Sequence, residues 1–106
     1  MAEIYSRVKK PSDILVTVKM SPFNGHHLGD IEWDVFFFIK ESGHSITLKK
    51  EECFRQDEDT YLCPIATKDF EDGVLRGTLH PRFPSSYFSD GYKDEYIEFN
   101  PNIILY

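Results

Sequence analysis

The sequence predicts an all-β fold, an antiparallel β-sandwich of about seven short strands, and three observations carry that prediction. Apolar residues recur at every second position, most plainly over residues 31–39. Turn-forming Pro, Gly, Asn, Asp and Ser interrupt the alternation roughly every 10–15 residues. No stretch holds apolar residues at helical spacing for the roughly 10–12 residues that a buried helix needs.

The elements follow in order. Residues 1–11 precede the first alternation and read as an N-terminal arm, with Ile4 and Tyr5 as apolar contacts that order on binding a partner. The domain proper is residues 12–106. In residues 14–20, Ile14, Val16, Val18 and Met20 share one face, and Thr17 and Lys19 share the other. Pro22 and the pair Asn24-Gly25 then make a turn. Ile31, Trp33, Val35, Phe37 and Ile39 form the inner face of the clearest strand. Its second half is apolar on both faces, so Phe36 and Phe38 need cover from a neighbour or a partner. Residues 41–44 suit a hairpin connection, and Ile46 and Leu48 start a short strand.

Residues 49–59 are dominated by charge and read as a turn or irregular strand, with Phe54 pointing inward. Residues 60–66 alternate again, with Tyr61, Cys63 and Ile65 on one face and Pro64 marking an edge or strand end. Residues 67–73 read as one helical turn closed by Gly73. Leu75, Gly77 and Leu79 then face inward and Arg76, Thr78 and His80 outward, until Pro81 and Pro84 end the strand. A Ser-rich loop over residues 84–91 leads to a strand at 92–99, with Ile97 and Phe99 inward. Asn100-Pro101 breaks it before a short final strand.

The chain of 106 residues fits one domain and is large enough to bury a core without staples. A hydrophobic content of 41% excludes a disordered chain. Twelve basic against eighteen acidic residues give a net charge of −6, which argues against nucleic acid and against an anionic membrane surface. The longest apolar run, residues 35–39, is too short to span a bilayer. No basic stretch precedes an apolar one at the start, so no signal peptide is expected. The two cysteines, Cys53 and Cys63, are too few for a disulfide scaffold. A hairpin disulfide between them is conceivable, but they read as small buried thiols of a protein made in the cytoplasm.

Each candidate for chemistry has a plainer reading that outweighs it. His26, His27 and Asp30 suggest a metal, yet adjacent residues of an extended chain point to opposite sides, so a polar loop is the better account. Asp69 to Gly73 looks like a calcium loop, but the Gly falls at the fifth position instead of the sixth and the later acidic ligand is missing. Neither Ser85-Ser86 nor Ser89-Asp90-Gly91 has the glycine flanks of a nucleophile elbow, and no phosphate loop is present. No catalytic, metal or cofactor site is therefore expected. The excess of aromatics, nine Phe, six Tyr and one Trp, is the one compositional oddity. Trp33, Phe37 and Phe99 suit the core, whereas Tyr87, Phe88, Tyr92 and Tyr96 lie in or beside the loop and suit an interface.

Thr60-Tyr61-Leu62-Cys63-Pro64-Ile65-Ala66-Thr67 leads through a short turn to Gly73-Val74-Leu75-Arg76-Gly77-Thr78-Leu79. Residues 84–88 and Asp90-Gly91-Tyr92-Lys93-Asp94-Glu95 follow. This order resembles an immunoglobulin-like (Ig-like) module of tailed-phage virion proteins, similar to the N-terminal domain of baseplate upper and tail-fibre proteins. The likeness covers roughly residues 12–105, with the strands upstream and the Lys50-to-Arg55 segment agreeing in outline. In those proteins the module usually begins a longer chain, whereas this sequence ends at Tyr106.

The resemblance implies an Ig-like β-sandwich acting as a non-enzymatic bacteriophage structural protein. An auxiliary or decoration protein on the capsid surface is the first expectation, and a tail, neck or baseplate adaptor the alternative. Its partners would be the major capsid protein or tail and baseplate proteins, and its location the virion. The residues expected at the contact are Ile4, Tyr5, Phe36, Phe38, Tyr87, Phe88 and Tyr92. A rival of another class is a carbohydrate-binding or adhesion module that stacks sugars on Tyr87, Phe88 and Tyr92.

Overall fold

A computed structural model describes residues 5–23, 25–40 and 42–106. Among these the chain forms ten strands and two short 3-10 turns. The strands are β1 (Ser6–Val8), β2 (Asp13–Lys19), β3 (Glu32–Ile39), β4 (Ser45–Lys49), β5 (Phe54–Asp57), β6 (Thr60–Ala66), β7 (Gly73–Pro84), β8 (Tyr92–Asp94), β9 (Ile97–Phe99) and β10 (Ile103–Leu105). The 3-10 turns are Leu28–Asp30 and Lys50–Glu52. No helix among the described residues is long and apolar enough to cross a membrane.

Two sheets pack in a sandwich-like arrangement. The smaller has the order β2-β6-β5, and the larger runs β1-β10-β7-β3-β4 with β8 and β9 also on β7. One apolar cluster lies between them. Val16, Val18, Tyr61, Cys63 and Ile65 come from the small sheet, and Trp33, Val35, Phe37, Leu75, Leu79 and Leu105 from the large one. Full burial of each large apolar side chain contributes about 1.5–3 kcal/mol. The alternation read over residues 14–20, 31–39 and 60–66 is the alternation observed, because each strand has one face on this cluster.

The sheet is not wholly antiparallel, since β1 runs parallel to β10 with Ser6 beside Ile103 and Val8 beside Leu105. Residues 6–8, assigned to the arm by the sequence reading, are thus a strand of the large sheet. Lys10 continues the attachment: its N–H donates to the Tyr106 carbonyl and its ammonium to the Phe70 carbonyl. Ile4 lies outside the described residues.

β7 organises the large sheet. One edge pairs with β3 along residues 75–82. The other is covered in steps by the C-terminal stretch: β8 on residues 82–84, β9 on 77–79 and β10 on 73 and 74. β8 and β9 share one register, interrupted at Glu95 and Tyr96, so the single strand expected over 92–99 is broken. The cause is Pro81. It does not end β7, as the sequence suggested, but lies buried inside it without an N–H to donate. Its carbonyl still accepts from the Glu95 N–H at 3.2 Å. Between β9 and β10 the register moves by two residues. Continuing the Gly77–Phe99 pairing would set Asn102 against Val74, where Ile104 stands instead. Asn102 absorbs the change with φ 61° while its N–H bonds the Asn100 side-chain oxygen at 2.9 Å.

Pro64 lies inside β6, the middle strand of the small sheet, and not at its end. It is tolerated because β5 starts at Phe54, opposite Leu62, and leaves β6 locally as an edge at Pro64. Phe54 does not point inward as its sequence context suggests but is 61% exposed, on the outer face of the small sheet. Residues 67–73 form no helical turn. A single bond from the Phe70 N–H to the Thr67 carbonyl closes the bend, and Phe70 is buried.

The connection between β2 and β3 is anchored on the β5–β6 hairpin. Phe23 and His26 exchange both backbone bonds around Gly25, which has φ 78°, whereas Asn24 of the expected turn pair lies outside the described residues. Lys50 donates to the Gly29 and Ile31 carbonyls at 2.9 and 2.8 Å. His27 Nδ1 lies 3.0 Å from Asp59 Oδ1, and Nε2 3.6 Å from Glu58 Oε2. The bond to Asp59 raises the His27 pKa above its ordinary value. Desolvation works against this, and the charges of Asp59, Glu58 and Asp30 add to it. A pKa raised by folding stabilises fully below the unfolded value of about 6.5, and that contribution is lost as pH rises through the folded value. His27→Gln is therefore expected to lower the thermal midpoint more at about pH 5.5 than at about pH 8.5. Equal losses at the two pH values would rule out the ion pair as the cause.

Candidate functional site

Three exposed aromatic side chains, Tyr87, Phe88 and Tyr92, belong to the β7–β8 hairpin, whose strands part at Pro84 and Tyr92, a facing pair. The seven residues between them are Ser85-Ser86-Tyr87-Phe88-Ser89-Asp90-Gly91. Local bonds shape this loop. The Ser85 N–H donates to the Gly91 carbonyl at 2.9 Å, and the Gly91 N–H to the Phe88 carbonyl at 3.0 Å. Gly91 takes φ 83°, which a side chain would disfavour. The Asp90 carboxylate accepts from the Tyr92 N–H at 3.1 Å, and the Ser85 hydroxyl from the Tyr87 N–H at 3.3 Å.

Arg82 braces the base of the hairpin. Its Nε donates to Asp94 at 2.8 Å, its Nη2 to Asp90 at 3.0 Å, and its guanidinium lies 4.6 Å from the centre of the Tyr92 ring. The bond from Arg82 holds the Asp94 carboxyl below the usual range, with desolvation opposing and the charges of Arg82 and His80 assisting. These ion pairs are solvated, so each contributes little stability, but together they fix the direction in which the loop points.

Tyr87 is 93% exposed and Phe88 48%, on a loop whose backbone is bonded to itself. Beside them lies an open groove of about 540 Å³, lined among others by Phe23, Phe83, Tyr87 and Phe88. Phe23 packs on Phe83 with ring centres 5.1 Å apart, so the β2–β3 connection supplies the groove's far wall. On the outer face of the large sheet Tyr96, 65% exposed, stacks flat on His80, with centres 4.4 Å apart and planes 10° from parallel. His80 Nδ1 is bonded to Asp34 at 3.0 Å, and its Nε2 lies 3.4 Å from Asp94 without hydrogen-bond geometry.

The structure thus brings together Tyr87, Phe88 and Tyr92 of the expected contact residues. Phe36 and Phe38 are elsewhere. They lie half-buried on the outer face of β3, Phe36 between Thr47 and Thr78 and Phe38 between Ser45 and Arg76. Arg76 is eight positions along β7 from Pro84, about 27 Å at the rise of a strand. Tyr5 belongs to a third region, its hydroxyl accepting from the Asn100 side chain at 3.0 Å. Tyr96, which the sequence sets beside the loop among the aromatics suited to an interface, is exposed on the outer face of the large sheet, whereas Phe23 was not expected at the contact, because no local signal marks it. Ile97, expected in the core, is exposed.

His26 and His27 part company, His26 against the Phe83 ring and His27 on Asp59. Among the described residues no three His, Cys, Asp or Glu side chains converge as metal ligands. No protein-family model, curated protein or solved structure matches this chain.

Proposed function

We propose that the chain is a non-enzymatic, Ig-like binding domain that docks on a protein partner through the β7–β8 hairpin, as an auxiliary structural protein of a tailed-phage virion. The single observation that carries the docking reading is the pair Tyr87 and Phe88, held out to solvent on a braced loop. Rigid aromatic anchors with Ser, Gly and Asp neighbours give contact area at low entropic cost.

Strand order supports the Ig-like part. If β2 to β7 are read as B, C, C′, D, E and F, with β8–β10 as a broken G, the sheets become B-E-D and C′-C-F-G. β1 then adds to G in parallel. Trp33 occupies the position of the buried tryptophan on strand C, although no disulfide joins the strands read as B and F. In this reading the hairpin loop and the β2–β3 connection are the F–G and B–C loops at one end of the sandwich. The virion assignment rests on the resemblance of roughly residues 12–105 to phage modules.

Phe88→Asp is expected to weaken incorporation into particles at least tenfold, about 1.4 kcal/mol, while the free domain keeps its fold. Quantitative mass spectrometry of purified virions, scaled to the major capsid protein, makes the measurement. Copies near the capsid number favour a shell decoration, a ring-sized number favours the tail or neck, and absence from the particle ends the virion reading. Loss of the fold in Phe88→Asp would instead make Phe88 a core residue.

A glycan-binding reading has one observation in its favour, the Tyr96 ring lying flat on His80 with its other side open. Titration with host-surface polysaccharide tests it. Unchanged binding by Tyr96→Ala and Tyr92→Ala, or no binding at all, removes it.

A further inference from the structure

We propose that Cys53 and Cys63 are the site of an intrachain disulfide, formed by thiol–disulfide exchange with a small-molecule disulfide. This is independent of the docking reading. Cys53 immediately precedes Phe54, and Phe54 pairs with Leu62, so antiparallel register sets Cys53 directly against Cys63. The two Sγ atoms are 3.1 Å apart and both residues are free thiols. A disulfide has S–S near 2.05 Å, so closure asks for about one ångström of side-chain movement and no change of strand pairing.

The two thiols differ in a way that orders the chemistry. Cys63 is fully buried in the core cluster, while Cys53 is half-buried at the end of the Lys50–Glu52 turn. The hydrogen bond between the two thiols holds the Cys53 pKa below that of an ordinary thiol, with burial and the Glu52 charge opposing. The same contact, together with burial, pushes Cys63 up. Cys53 is therefore the attacking thiolate and Cys63 the resolving group. The Cys53 thiolate attacks one sulfur of the disulfide RS–SR, forms Cys53–S–SR and expels RS⁻. Cys63 gives its proton to a released thiolate and attacks the Cys53 sulfur, expelling the second RS⁻ as the protein disulfide closes. One RS–SR is reduced to two RSH, and the protein loses two protons and two electrons.

The position gives the bond a structural consequence. The Lys50–Glu52 turn is where the chain leaves β4 in the large sheet for β5 in the small one. Every residue of β5 is exposed, and among the described residues β5 pairs on one side only, with β6. The disulfide would tie this thinly held crossover to a buried residue of the central strand.

The test uses the full chain, reduced, freed of reductant and incubated with glutathione disulfide. The expected result is an intact mass lower by two hydrogens, simultaneous loss of both alkylatable thiols, a linked peptide pair, and a thermal midpoint higher by roughly 5–15 °C. Cys63→Ala is expected to stop at a stable glutathione adduct on Cys53, and Cys53→Ala to leave Cys63 unmodified while folded. If Cys63→Ala does not fold, acid-quenched samples of the unsubstituted chain should still show the Cys53 adduct rising before the two-hydrogen loss. Two thiols that stay free, or an adduct on the unsubstituted chain that never closes, would overturn the proposal.

Discussion

Trp33→Ala is expected to lower the free energy of unfolding by about 3–5 kcal/mol. Trp33 lies on the inner face of β3 and is buried against the other sheet, its ring meeting Tyr61 of β6 edge-on with centres 4.9 Å apart. Its indole N–H donates to the Leu28 carbonyl at 3.1 Å. Truncation therefore removes a contact between the sheets, opens a cavity in a close-packed layer and leaves a buried carbonyl unpaired. Domains of this kind are held by about 5–15 kcal/mol in total, so the change approaches the limit of folding. Trp33 is the only tryptophan, and the transition must be followed by circular dichroism in denaturant. A loss below about 1 kcal/mol at an unchanged denaturant slope would show that Trp33 is not a core anchor.

Gly77→Ala is expected to cost about 1–3 kcal/mol, for a reason of space and not of backbone freedom. A Cβ built on Gly77 would stand 2.3 Å from Cζ of Phe99, the residue directly opposite in β9. The Phe99 ring lies over the glycine and meets Phe37 edge-on, with centres 5.9 Å apart. The methyl must displace that ring, and with it the seating of β9 on β7. Phe99→Ala alone removes the same ring and opens the space. Combined with Gly77→Ala it should cost less than the two single losses added, by about 0.5–3 kcal/mol. Strict additivity would mean that the ring and the glycine do not compete for this volume.

The hairpin could be read in part from local chemistry. Ser85, Ser86, Asp90 and Gly91 announce a turn, and Tyr87 and Phe88 within it have no alternating partners that would draw them into a core. The wall of the groove could not be read, because Phe23 reaches Phe83 only when the β2–β3 connection folds back over the end of β7. Phe54 and Ile97 show the same limit from the other side. Phe54 is the one aromatic residue of a charged segment, which suits it to the core, but its pairing with Leu62 turns it outward while Cys53 faces in. Ile97 stands opposite the inward Leu79, yet it is solvent-exposed.

Alternation alone determined where most strands lie and which residues of β2, β3, β6 and β7 face the core, since a side-chain period of two is a local property of an extended chain. Pairing is not local. That β1 joins β10 in parallel, that β8, β9 and β10 take successive places along one edge of β7, and that Cys53 meets Cys63 were decided only by the tertiary structure. A period of two tells each residue which face it occupies and says nothing about which strand lies beside it, because the register between distant strands is set by the packing of the whole core.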